Sequence, residues 1–179
     1  MAKQEHYFPE QEMIMDSLAH VISQKETLYA NIKRMIDGYW TWFNAENKNI
    51  SKLKKVGLTE LNISNVAPVI EPRKSGESVT YYILWKNHQK KFRNNIKKSK
   101  GASKGPSIRL HDHDSLKIKQ VLLNKCKWDA PKAIALETRF EYMRASLKGF
   151  HESEVRLRAA ARKIERLSTK TTETPLGES

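Results

Sequence analysis

Apolar residues recur at helical spacing through both ends of this chain, and that pattern limits the fold more than any other feature. Between residues 10 and 46 they stand mostly three, four or seven positions apart, which predicts a long amphipathic helix. Gln24 and Lys25 weaken the stripe near its middle. Gly38 weakens the last turns, and the Asn-rich segment 44–49 is expected to end the helix.

A second long helix is predicted from Pro131 onward, where apolar residues alternate at spacings of three and four. Glu154 takes one place at which this heptad seam calls for an apolar residue. The seam consists of Ala133, Leu136, Phe140, Met143, Leu147, Phe150, Leu157, Ala161 and Ile164. A short helix from Leu116 to Lys125 is expected before it, with Asp114-Ser115 as its N-cap.

Between the helices the pattern changes to that of strands. Val79 to Trp85 is the clearest strand by residue type, and the Pro-flanked pair Val69-Ile70 permits an edge strand before a turn at 74–77. Residues 90–96 are a candidate third strand. The predicted fold class is α+β: two long helices at the chain ends with a small (two- or three-stranded) antiparallel sheet between them, the helices pairing antiparallel and presenting the sheet at one end.

At 179 residues the chain has room for one compact domain. Within it we distinguish a helical region at 1–65, a basic hairpin or small sheet at 66–111, a second helical region at 112–168 and a disordered tail at 169–179. The single cysteine, Cys126, excludes an internal disulfide and fits a reducing cytoplasm. No apolar run is long enough for a membrane span and no secretory leader is evident, so a cytoplasmic protein without a membrane partner is expected.

The central strand opens the most unusual stretch of charge in the chain. Between Ser78 and His111 there are nine Lys or Arg residues and no Asp or Glu. A surface that serves only solubility mixes charges of both signs, whereas this stretch forgoes every local ion pair, so a polyanion, and first of all double-stranded DNA, is the expected partner. The expected phosphate contacts are Lys86, Lys90, Lys91, Arg93, Lys97, Lys98, Lys100, Lys104 and Arg109.

Amide side chains between these cations are suited to reading base edges. Asn87, Gln89 and Asn94 both donate and accept hydrogen bonds, and a β-ribbon fits the major groove of B-DNA. They are equally suited to making turns. A second basic group on the C-terminal helix either extends the phosphate track or complements the helix dipole. Its members are Arg156, Arg158, Arg162, Lys163, Arg166 and Lys170, of which Arg158, Arg162 and Arg166 are the expected DNA contacts.

Signals for catalysis or metal binding are weak. His111 and His113 alternate with Asp112 and Asp114, but no separated third ligand is evident, so neither a metal nor any other cofactor is expected. Nicking relaxases combine a His-hydrophobe-His metal site with a nucleophilic Tyr. The Tyr81-Tyr82 pair and the acidic spacing residue fit that pattern poorly. A non-enzymatic protein is expected.

The order of these features resembles the MobI family of conjugative transfer proteins. The likeness rests on the Pro-flanked segment, the Ile-Leu-Trp of 83–85, the Lys-Lys-Ser-Lys-Gly of 97–101 and the Trp128-Asp129 pair before a long helix, over Pro68 to Leu167. The resemblance implies a mobilisation factor that binds DNA at an origin of transfer and assists a relaxase. The arm-type domain of tyrosine recombinases is a second resemblance, without the catalytic domain.

Three further interpretations stay open. An RNA-binding or ribosome-associated protein would carry the same charge. A helical scaffold would use the heptad seams to bind a partner protein. The seam of the C-terminal helix is also compatible with a homodimer.

Overall fold

A computed structural model describes residues 9–88 and 115–173 of the chain, with side chains up to residue 167. The elements along these ranges are α1 (Pro9–Lys55), β1 (Val66–Ser75), β2 (Ser78–Asn87), α2 (Ser115–Lys125) and α3 (Ala130–Glu173). Strands β1 and β2 form a two-stranded antiparallel sheet. The predicted α+β class, with long helices at both ends and an antiparallel sheet between them, is confirmed.

Helix α1 continues to Lys55, through the Asn-rich segment predicted to end it. Phe43 and Ile50 stand seven residues apart and are both buried, so the apolar stripe carries on past the asparagines. The Asn47 side chain is used in packing: it accepts from the Ser64 backbone N–H at 2.8 Å and donates to the Ser64 carbonyl at 3.0 Å. Gly38 lies inside the uninterrupted helix.

Gly57 supplies the real helix end. Its φ of 74° is in the left-handed region, and its N–H donates to the Lys54 carbonyl at 3.3 Å. The Leu58 N–H donates to the Leu53 carbonyl at 2.9 Å. This pair of bonds is the Schellman motif, which satisfies the last carbonyls of a helix.

The hairpin closes across a two-residue turn, Gly76-Glu77, at the predicted turn position. Gly76 has a φ of 59°, whereas no non-glycine residue of the described ranges has a positive φ, which is the pattern of a type II′ turn. Both predicted strands are confirmed and are longer than predicted. The candidate third strand at 90–96 lies outside the described residues.

Strand β1 accommodates two prolines because of its register. Pro68 is opposite Trp85, and Pro72 is opposite Tyr81. Counted from the closing pair beside the turn, both are non-hydrogen-bonded positions, so a backbone N–H there would point away from β2. By the same alternation, the N–H and C=O groups of Tyr81 and Ile83 point away from β1, to the outer edge of β2.

Helices α1 and α3 pack antiparallel, as predicted. Lys25 in α1 meets Glu154 in α3, while farther along α1 the Lys132 ammonium of α3 lies 3.8 Å from the centre of the Trp42 ring. The first half of α1 therefore contacts the second half of α3, and the second half of α1 contacts the start of α3. Each apolar stripe supplies one side of this interface.

The sheet lies lengthwise against the helix pair, not at one end of it as expected. Near its turn, Glu77 accepts a bond from Arg158 of α3 at 2.8 Å. At its base, the Trp40 indole donates to the Pro68 carbonyl at 2.9 Å. The cause is β2 itself, whose large side chains at Ile83 and Trp85 are 4% and 2% exposed and need helix faces along the strand.

Helix α2 begins one residue before its predicted start and packs Ile118 and Leu122 into the core. Helix α3 extends to Glu173, so residues 169–173 of the predicted disordered tail are helical.

Candidate nucleic-acid interface

The predicted DNA contacts divide into two sets. Lys86, Asn87, Arg158, Arg162 and Arg166 belong to the described residues. The larger set falls in the range 89–114, outside the described residues, together with the candidate metal ligands His111 and His113. That set comprises Gln89, Lys90, Lys91, Arg93, Asn94, Lys97, Lys98, Lys100, Lys104 and Arg109.

Trp85, near the end of β2, and Ser115, at the start of α2, meet at one buried carboxylate. Glu137 of α3 is 0% exposed and accepts a bond from the Trp85 indole at 2.8 Å. The Ser115 hydroxyl lies 3.4 Å from its other oxygen. Arg144, two turns along α3, bonds both oxygens, at 2.6 and 2.9 Å, and so neutralises the charge. The chain therefore leaves β2 and enters α2 beside the same point of α3.

Lys86, the first cation of the acid-free stretch, is held in the sheet. Its side chain is 10% exposed and its ammonium pairs with Glu71 of β1. A phosphate contact from Lys86 would require this cross-strand pair to open. Its neighbour Asn87 is half-buried, and the Asn87 carboxamide oxygen has no hydrogen-bond partner among the described residues.

Four cations of α3 lie along one face of the helix, and we call them the basic stripe. They are Lys148, Arg158, Arg162 and Arg166. At 3.6 residues per turn they fall within about 80° of arc and span about 27 Å, most of the roughly 34 Å repeat of B-DNA. Arg162 and Arg166 are exposed, whereas the Arg158 guanidinium is shared between Glu77 at 2.8 Å and Glu154 at 3.0 Å.

Below the stripe, Lys25 and Glu154 form an ion pair that is 5% and 2% exposed. Each is the residue that interrupts its own apolar stripe, and the antiparallel packing brings the two interruptions together. Burial opposes ionisation of Glu154, but hydrogen bonds from Lys25 and Arg158 outweigh it and hold its pKa below the usual value. Sequence reasoning identified both interruptions but missed that they pair.

A cleft of about 260 Å³ opens between the outer edge of β2 and the face of α3 that carries the stripe. Arg144 closes one end, where its Nε donates to the Ile83 carbonyl at 3.3 Å. His151 closes the other end, where its Nδ1 lies 3.2 Å from the Ser78 hydroxyl and 3.4 Å from that of Thr80. No local motif marks the contacts of Arg144 and His151 with β2, because these partners lie 61 to 73 positions away in the sequence.

Another buried titratable cluster is unsuited to nucleophilic catalysis at neutral pH. The Tyr39 hydroxyl donates to Asp129 at 3.1 Å, and burial, with the charge of Asp129, raises the Tyr39 pKa. Burial and the same carboxylate raise the pKa of Cys126 to about 12. Both groups are therefore held in their protonated forms, which are poor nucleophiles.

The tyrosine pair of the relaxase interpretation is divided between two surroundings. The Tyr81 ring stacks on Tyr29 of α1 at 4.3 Å, and burial raises its pKa. The Arg73 guanidinium lies over the Tyr82 ring, 4.4 Å from the ring centre. Within the described ranges, no group of three or more His, Cys, Asp or Glu residues is placed to hold a metal ion.

Comparison with known proteins gives no relative: no protein-family model, curated protein or solved structure matches this chain. Among the helices of residues 9–88 and 115–173, none combines the length and apolar character needed to cross a bilayer.

Proposed function

We propose that the protein binds double-stranded DNA through the basic stripe and the acid-free stretch that begins in β2. The observation that carries this proposal is the alignment of the stripe cations on one face of α3. An inert helix surface carries mixed charge, whereas a row of cations about 27 Å long matches the phosphate backbone of nearly one helical turn.

The position of the acid-free stretch supports the same partner. The range 89–114 contains eight Lys or Arg residues. Trp85, near the end of β2, and Ser115, directly after the range, both contact Glu137. Glu137 lies on the same face of α3 as the stripe, a few turns before it. The two basic groups of the sequence therefore start from one side of the molecule.

Binding, not catalysis, is the proposed activity. The resemblance to the MobI family further supports an accessory role in conjugative transfer, in which the protein binds an origin of transfer and assists a relaxase. Under this proposal, a duplex fragment from a cognate origin of transfer is bound more tightly than a control fragment of equal length and charge. Equal affinity for the two would remove the transfer role and leave general DNA binding.

The test of the binding surface is a matched pair of double variants. Arg162→Ala with Arg166→Ala removes two stripe charges. Arg156→Ala with Lys163→Ala removes the same charge from exposed positions of the same helix, which lie roughly a quarter of the way around the helix axis from Arg162 and Arg166. Affinity for a 25-base-pair duplex, which is longer than the stripe, is measured by fluorescence anisotropy over a range of salt concentrations.

The stripe variant should bind more weakly and reduce the slope of log K against log salt by about 2, since each phosphate contact contributes about 0.9. The control variant should keep the slope of the wild type. Equal slopes for the two variants would contradict the assignment. Stronger competition by an A-form RNA duplex than by DNA would select the RNA-binding alternative.

A further inference from the structure

The cleft between β2 and α3 presents backbone groups of the strand edge to a small ligand. The register points the N–H and C=O of Tyr81 away from β1 and towards α3. The Tyr81 N–H donor and the Tyr81 C=O acceptor therefore lie side by side on the same edge of the strand. Their complement is a ligand edge that offers an acceptor beside a donor, which is the arrangement on the pairing edge of a nucleobase.

The walls of the cleft suit a flat apolar body. Ile83 and Leu147 line it with aliphatic side chains, both of them anchored in the core. Arg144 and His151 close its two ends, so an extended peptide strand cannot run through it. Its volume of about 260 Å³ is just below the range of drug-sized sites, which limits the occupant to a single ring system.

The mouth of the cleft carries the exposed Lys148 and Glu152 side chains and leads into the basic stripe. Lys148 stands at the rim, where its side chain is 59% exposed and its ion pair with Glu152 is loose, at 3.9 Å. A surface pair of this kind contributes little and exchanges readily for another anion. A phosphate can therefore lie outside, on Lys148, while the base attached to it lies inside.

We infer that the cleft receives one unpaired nucleobase of a DNA strand whose phosphates follow the basic stripe. This inference rests on the proposed DNA binding and adds a preference within it. The protein then distinguishes DNA that contains an extruded base from DNA that is fully paired, because only the extruded base can present its pairing edge to Tyr81.

The test compares two duplexes that differ by a single extra 2-aminopurine in the centre of one strand. The full-length protein should bind the bulged duplex about tenfold more tightly than the paired duplex, the effect of roughly one net hydrogen bond. The emission of the 2-aminopurine should change on binding. Deoxyadenosine 5′-monophosphate in excess should compete with the bulged duplex and leave the paired duplex bound.

Thr80→Phe fills the cleft from the strand side and should abolish the preference while affinity for the paired duplex is unchanged. Thr138→Phe, on an exposed part of α3 away from the cleft, is its control and should keep the preference. Lys148→Ala, a surface change, should reduce the preference even if Thr80→Phe misfolds. Equal binding of both duplexes by the wild type, or a preference that survives Thr80→Phe in a folded protein, would overturn the inference. Failure to bind the paired duplex at all would instead refute the proposed function.

Discussion

The buried Lys25–Glu154 pair gives the sharpest prediction about what holds the two long helices in register. Removal of one partner from a buried ion pair leaves an uncompensated charge and destabilises a protein by about 3 to 5 kcal/mol. The two single variants should differ within that range, because the two partners are not equally supported. Glu154 keeps a second cation, Arg158, at 3.0 Å, whereas Lys25 has only the Tyr81 ring, 5.9 Å away, as another attractive neighbour in the described contacts.

Lys25→Met should therefore cost about 3 kcal/mol and Glu154→Leu about 5 kcal/mol. The double variant replaces the pair with apolar side chains and restores both interrupted stripes. It should lie within about 1 kcal/mol of the wild type or be more stable. Such non-additivity is the signature of a direct contact.

Urea unfolding followed by circular dichroism at pH 7 measures these differences, provided that the slope with urea is shared by all variants. Lys148→Met is the control, since its pair with Glu152 is exposed and should contribute at most about 0.5 kcal/mol. Losses below about 1 kcal/mol for both single variants, or a double variant as unstable as their sum, would refute the reasoning.

Three other predictions concern single groups. Because hydrogen bonds hold the pKa of Glu154 below its usual value, the stability it contributes is present above the unfolded-state pKa of about 4.3 and is lost as the pH falls through the folded-state value. Below about pH 4.3, the unfolding free energy of the wild type, measured in urea, should therefore fall more steeply with decreasing pH than that of the Lys25→Met, Glu154→Leu double variant. Parallel curves of unfolding free energy against pH would contradict this. Cys126, with its pKa raised to about 12, should react with a disulfide reagent at pH 8 only in urea, and rapid labelling of the native protein would contradict its burial. Gly57→Ala forces a Cβ into a φ of 74° and should lower the unfolding free energy by about 1 kcal/mol, with no loss expected if the helix ends elsewhere.

The helical periodicity was the most informative part of the sequence. The seam of α3 predicts its buried face correctly, and even its one polar place, Glu154, is buried. Two interruptions in two apolar stripes predict each other once the helices are paired antiparallel. The sequence alone does not show that Lys25 and Glu154 lie opposite each other, because they are 129 positions apart.

Local composition predicts ends and burial less well. The asparagines at 44–49 favour a helix end in isolation, but the core contact of Ile50 outweighs that preference. Lys86 reads as one cation among many in an acid-free stretch, although its partner Glu71 sits on the neighbouring strand. A run of charge therefore indicates a partner class but does not tell which of its members reach the surface.

In the proposed complex, DNA lies along the face of α3 that carries the basic stripe. Val155 is exposed in the middle of that face, and Ser153 is exposed on the opposite side of the same helix. A benzophenone amino acid at each position, irradiated in complex with duplex DNA, reports contact directly. Position 155 should give a strong protein–DNA crosslink, and position 153 should give little or none. Equal crosslinking from the two positions, or crosslinking from 153 alone, would contradict it.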